Sequence, residues 1–226
     1  MRRKLIIAFT TIIIITLSLT IINYKTILAF LTNKDKTTNN FTVGELKATV
    51  TEPNYEDNQT VKPGEEIIKD PTLSNIGEVE GYIRAQVYVP VSKEIKYVDE
   101  NEKIIIPEEE IEIATYKINE GWEEVTEEGF SGIYEDKEGN KYKVHTYKYM
   151  ENGQERIIKP EETIEKPLFN KVKIINYLDM DKTINIKIHV AAISVQSEGG
   201  TAEEMWTYYK NQNGTGIVGV EYEEKE

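Results

Sequence analysis

The sequence predicts an all-β chain: an antiparallel jelly-roll-like β-sandwich with inserted β-hairpins and one short C-terminal helix, preceded by an N-terminal signal or transmembrane helix. Three observations carry this. Apolar and polar residues alternate with the period of a half-buried strand over much of the chain. Turn signals such as Pro63-Gly64, Asn75-Ile76-Gly77 and Asn152-Gly153 recur between these runs. Only one stretch, beginning at Thr201, has the marks of a helix.

The N-terminus stands apart. Arg2, Arg3 and Lys4 precede an uncharged run from Leu5 to Ile22, interrupted only by threonines and one serine. Such a run is the apolar core of a secretory signal or a short membrane helix. Cleavage after residues 1–29 is the favoured reading and a retained anchor the alternative, because Ala29 is a small residue suited to a signal peptidase while Ile27 fits the usual small-x-small pattern poorly. The expected domains are therefore 1–29, the signal, and 30–226, the exported sandwich, with a variable hairpin insertion over about 92–158.

Along the exported part, Leu46, Ala48 and Val50 alternate with Lys47, Thr49 and Thr51 as a first strand. Residues 82–91 form a second, with Ile83, Ala85, Val87 and Val89 on one face and Arg84, Gln86 and Tyr88 on the other. Three hairpins follow: 95–98 with 104–106, 133–135 with 142–149, and 150–156 about Glu151-Asn152-Gly153. Both faces of 142–149 are semi-polar, which predicts an edge or solvent-facing strand. Ile184 to Gln196 is the strongest strand pattern, and the phase break at Ala191-Ala192 predicts a bulge. Thr201 and Glu204 have the capping-box spacing, which predicts a helix to about Gln212 with Met205, Tyr208 and Tyr209 as its apolar face. The acidic Glu221–Glu226 reads as a solvated tail.

Composition excludes several functions. The full chain has 27 basic and 40 acidic residues, a net charge of −13, with two histidines and no cysteine. Removing residues 1–29 takes away four cations and leaves 23 against 40, a net charge of −17. An acidic domain of this kind lacks the basic footprint that nucleic acid requires. Disulfides, Cys-ligated metals and thiol catalysis are excluded outright. His145 and His189 are 44 residues apart on predicted strands, so the helical His pair of a metalloprotease is missing and both read as exposed strand histidines. No nucleophile elbow, P-loop or dinucleotide fingerprint occurs. The runs Glu108-Glu109-Glu110, Glu123-Glu124, Glu127-Glu128 and Asp179-Met180-Asp181 have oxygen ligands that could hold calcium, but they match no EF-hand loop, and solvated faces are the favoured reading. Catalytic residues, metal ligands and cofactors are accordingly expected to be none. The 14 tyrosines suit either binding surfaces or ordinary cross-strand packing. A Leu-Pro-x-Thr-Gly sorting signal is absent near the C-terminus, so covalent wall anchoring by that route has no support.

Three segments resemble a known family. Ala29 to Asp35 followed by Asn40 to Leu46 resembles the A-[YF]-F-[TS]-D…N-T-F-x-x-G-x-L junction of Gram-positive exported proteins with SipW-dependent signals. Pro63-Gly64-Glu65 through Lys69-Asp70-Pro71, Asn75, Gly77 and Tyr82-Ile83-Arg84 resembles the block that follows it. Lys159 to Thr163, Pro167 to Phe169, Val195 to Gly199 and Ala202 to Trp206 resemble the closing pattern. The ordered set resembles the TasA and camelysin family of biofilm-matrix proteins. Leu31, Asn33 and Pro160-Glu161 depart from its pattern.

The resemblance implies a jelly roll, export, cleavage between Ala29 and Phe30 by a SipW-type signal peptidase after transient membrane insertion, and self-association into extracellular filaments at the surface of a Gram-positive cell, with other matrix components as further partners. It also implies that the freed segment, with Leu31, Thr32, Asn33, Phe41 and Val43, adds as a strand to the next subunit. The alternatives are a monomeric surface binding module or adhesin using the tyrosine-rich hairpins, and a camelysin-type metallopeptidase, for which the residues offer no helical His pair.

Overall fold

The structure is a computed structural model and describes residues 45–55, 62–178 and 187–219. The chain divides into two compact units, Met1–Val43 and Gly44–Glu226, and every described residue belongs to the second. The expected signal helix, residues 184–186 and the acidic tail lie outside the described residues. No helix among the described residues is long and apolar enough to cross a membrane.

The strands in chain order are β1 (Ala48–Thr51), β2 (Glu66–Ile68), β3 (Thr72–Asn75), β4 (Gly81–Ser92), β5 (Tyr97–Val98), β6 (Ile104–Ile105), β7 (Ile111–Glu112), β8 (Ala114–Tyr116), β9 (Trp122–Glu124), β10 (Gly132–Glu135), β11 (Lys141–Glu151), β12 (Gln154–Glu155), β13 (Ile157–Ile158), β14 (Lys171–Ile174), β15 (Asn176–Tyr177) and β16 (His189–Gln196). One helix, α1 (Ala202–Asn213), follows them. All pairings are antiparallel, as the sequence predicts.

The long strand β4 is the axis of the fold. β11 pairs with it on one side, from Tyr142 opposite Pro90 to Lys148 opposite Arg84. β16 pairs on the other, from His189 opposite Tyr88 to Gln196 opposite Gly81. β10 lies beyond β11. Smaller sheets surround this one in the orders β2-β14-β8, β15-β5-β6 and β1-β3.

Side chains alternate across β4, and the two faces build two cores. Ile83, Ala85, Val87 and Val89 join a cluster with Leu73, Ala114, Phe169, Val172 and Ile174, which is the sandwich interior. The opposite face, expected to be the polar one, is equally buried. There Tyr82 packs with Phe130, Ile193, Val195 and Trp206, and Tyr88 with Tyr142 and Val144. The helix and the segment around Gly216 to Val218 cover it. Gln86 Nε2 donates to Gly216 O at 2.8 Å, and the Tyr88 hydroxyl donates to Val218 O. A strand flanked by hydrogen-bonding layers hides its polar side chains if each finds a partner.

Three further expectations are corrected. β11 is an interior strand, not an edge, because β4 and β10 both pair with it and its Thr146 hydroxyl is satisfied by Phe130 O. No bulge occurs at Ala191-Ala192: the register with β4 runs unbroken from His189 to Gln196, and alanines are small enough to sit on either face. Of the expected helix face, Met205 and Tyr209 pack on the second core, but Tyr208 is 49 % exposed and the fully buried anchor is Trp206. The three hairpins pair as expected, Asn152 and Gly153 both holding positive φ in their turn. The capping box at Thr201 and Glu204 also forms, with Gly214 in the left-handed region at the C-terminal end.

Candidate functional site

Ala29, Phe30, Leu31, Thr32, Asn33, Phe41 and Val43 lie outside the described residues. What is described is the place where their segment joins the fold. Glu78 N–H donates to Glu45 O at 2.7 Å and Ile76 N–H to Lys47 O at 2.8 Å. Gly77 lies between these two bonds. A Cβ there would stand 2.2 Å from Glu45 O, so no other residue lets the strands approach this closely. Asn75, fully buried, braces the same loop: its Oδ1 accepts from Gly77 N–H at 2.9 Å, and its Nδ2 donates to Val79 O at 2.8 Å and Ile158 O at 3.1 Å. The sequence marked Asn75-Ile76-Gly77 as a turn. It is also the seat of the N-terminal arm.

The Lys69-Asp70 pair fastens the other end of β1. The Asp70 carboxylate accepts from Asn54 N–H at 3.1 Å and Asn54 Nδ2 at 2.6 Å. Lys69, buried, meets Glu52 at 2.7 Å and lies 4.2 Å from the centre of the Tyr55 ring. The family-like block around residues 63–84 is therefore a clamp on the first strand. Its last member, Arg84, is buried under the helix. Its guanidinium bonds Glu155 through Nε at 3.0 Å and Nη2 at 2.8 Å, and Trp206 Nε1 donates to the same carboxylate at 2.7 Å.

The most polar cluster on the sandwich face centres on His145. Nδ1 meets Glu124 at 2.8 Å and Nε2 meets Glu112 at 3.1 Å. Burial pushes the imidazole pKa down, but the two carboxylate hydrogen bonds and their charges outweigh it and hold it above the ordinary histidine value. Each ring nitrogen faces a carboxylate oxygen, an arrangement that favours the doubly protonated ring. Beside it the Tyr116 and Tyr147 hydroxyls bond at 2.9 Å, and burial pushes both phenols up, Tyr147 to about 12.

His189 is held differently. Burial first, then the charges of Lys69 and Lys187, push its pKa down to about 4. Neither histidine is exposed, contrary to expectation, and the register separates them. His145 opposes Val87 and His189 opposes Tyr88. Directly opposed residues share a face, and Val87 and Tyr88 take opposite faces, so the two histidines point to opposite sides of the sheet. They cannot share one metal ion. Among the described residues no three His, Asp or Glu side chains converge as ligands.

The description "camelysin metallo-endopeptidase" matches residues 1–154. The chain belongs to the camelysin family. Neither a curated protein nor a solved structure matches it. The camelysin match takes in the clamp on β1 and the whole of β4, and ends at Gln154, the first residue of β12, one residue before Glu155. Membership agrees with a place outside the cell or at its surface. The peptidase named in the camelysin description needs a metal site, and a two-histidine site does not fit this chain's geometry.

Sequence reasoning missed the Arg84-Glu155-Trp206 cluster and the two glutamates on His145. An arginine in phase with buried Tyr82, Gln86 and Tyr88 was the available signal for the first. Nothing in the sequence brings Glu112 and Glu124 to His145, because three separate strands supply them.

Proposed function

We propose that this protein is an exported subunit of an extracellular matrix, which forms fibres when signal cleavage frees residues 30–43 to add as a strand to a neighbouring copy. The observation that carries the reading is the independence of the Gly44–Glu226 unit, which closes its own core. At the entry to this unit Glu45 and Lys47 are held by the Gly77 clamp. Residues 30–43 precede this unit in the sequence, immediately before the clamp. Strand addition draws affinity from main-chain hydrogen bonds, and a head-to-tail contact that does not close gives a filament. Tethering to the signal helix would hold assembly back until processing.

The test compares the full chain, expressed in an exporting Gram-positive host, with a deletion of 30–43 that retains the signal and cleavage site. The deletion should yield a folded monomer and the parent should yield filaments. Filaments from both would overturn strand addition.

The family description favours a second reading, metal-dependent peptide hydrolysis. It requires a chelator-sensitive activity in the purified chain and ligands other than a joint site of His145 and His189.

A further inference from the structure

The β5–β6 hairpin ends in an open sheet edge. Among the described residues β6 pairs with β5 alone, and β5 pairs with β15 on its other side. The register fixes which side faces out. Tyr97 opposes Ile105 and Tyr177, and Tyr177 packs against the sandwich core. The other side carries Ile104 and Ile106, 59 % and 67 % exposed, with Leu178 across the sheet at 43 %.

The hairpin bonds also fix which peptide groups are free. Asp99 N–H donates to Lys103 O at 2.9 Å, so Lys103, and Ile105 two residues on, turn their N–H and C=O toward β5. Ile104 and Ile106 turn theirs to the open side. Pro107, which has no N–H, falls in the phase facing β5 and removes no donor from the open edge. Unpaired main-chain groups beside exposed β-branched side chains form a template for another strand.

We propose that this edge binds the same edge of a second copy of the chain, antiparallel, about a two-fold axis at Ile105. The edge is complementary to itself. Residues with free main-chain groups must oppose one another, so Ile104 can face Ile104 or Ile106 of the second copy. Facing Ile106 gives two isoleucine pairs flanking Ile105 against Ile105, the most apolar choice. Both copies carry a strongly negative net charge, so the contact strengthens as salt screens it. Such a contact closes on itself. It joins subunits sideways and is independent of head-to-tail strand addition.

The absence of native cysteine makes the test direct. In the full chain purified from the exporting host, Ile105→Cys should give a covalent dimer under mild oxidation. Its opposed Cα atoms would lie about 4.5 Å apart in a non-hydrogen-bonded pair, within disulfide reach. Ile104→Cys alone should cross-link slowly, and an equal mixture of Ile104→Cys with Ile106→Cys quickly. Ile104→Lys should weaken dimerisation about tenfold in sedimentation equilibrium, with thermal stability unchanged, because an edge lysine opposes pairing. Equal cross-linking by Ile105→Cys and Ile104→Cys would overturn the proposal, as would a parent chain monomeric at every salt concentration. Filaments that persist in Ile104→Lys would leave the fibre reading standing, so the two ideas fail separately.

Discussion

Arg84 is stacked on Trp206, its guanidinium carbon 4.4 Å from the indole ring centre, and both side chains bond the carboxylate of Glu155. Three elements meet there: β4, β12 and α1. Glu127, more exposed, adds a weaker contact at 3.4 Å. The cluster closes the second core, because Trp206 also packs edge-on to Phe130. A cation this deep persists only with its partner in place. Glu155→Ala should therefore cost about 3–5 kcal/mol, the penalty of an unpaired buried charge. Trp206→Ala should cost a similar ~3–5 kcal/mol through the cavity it leaves. Urea unfolding checks both, and a loss within 1 kcal/mol (about the worth of an exposed ion pair) would show that Arg84 is neutralised some other way.

Stability should peak near pH 6.5, the ordinary histidine value. His145 binds its proton more tightly folded than unfolded, so its contribution is complete below that pH and is lost as pH rises through the folded pKa. His189 is held neutral, so its contribution is present above pH 6.5 and is lost as pH falls toward its folded value of about 4. The acid limb should amount to roughly 2 kcal/mol after allowance for partial exposure. His145→Gln should flatten the alkaline limb and His189→Gln the acid one, as read from denaturation midpoints across pH. Limbs unchanged in these variants would assign the pH dependence to other groups.

Gly77→Ala should push the N-terminal arm off its seat. The added carbon meets main chain, which cannot swing aside as a side-chain tip can. A loss of about 1–3 kcal/mol is expected, as for other overpacking. Hydrogen exchange gives the sharper reading: the Ile76 and Glu78 amides should lose protection while those of β4 keep it. Equal protection in parent and variant would contradict the clamp.

Zinc titration should reveal no tight site that both His145→Ala and His189→Ala abolish, since the two rings point to opposite faces of one sheet. Calorimetry on the parent and both variants decides it. A single site lost in both variants would refute the register argument.

The readable parts of this fold were those written in local pattern. The capping box of Thr201 and Glu204 and the Asn152-Gly153 turn need only neighbouring residues, and both form as spelled. The face of β4 with Arg84, Gln86 and Tyr88 was misread because its burial comes from Trp206 and Val218, more than a hundred residues away. β11 was misread for the same reason. Its Thr146 and Tyr147 look solvent-facing until Gln86, Phe130 and Tyr116 supply their hydrogen bonds. Alternation reports one buried face well, and a strand covered on both faces by polar-tipped residues defeats it. The family-like block was legible as a motif but not as a device. Only the structure shows that Lys69, Asp70, Asn75 and Gly77 grip the first strand and its flanks.

The central claim is assembly driven by the freed N-terminal segment. Electron microscopy of the chain processed and released by an exporting host tests it most directly, with the new N-terminus read by mass spectrometry. The account predicts a chain that begins at Phe30 and forms filaments at physiological salt. More should form at higher salt or lower pH, where the net charge of −17 on residues 30–226 is screened or titrated. A correctly processed chain that stays monomeric under all of these conditions would contradict it.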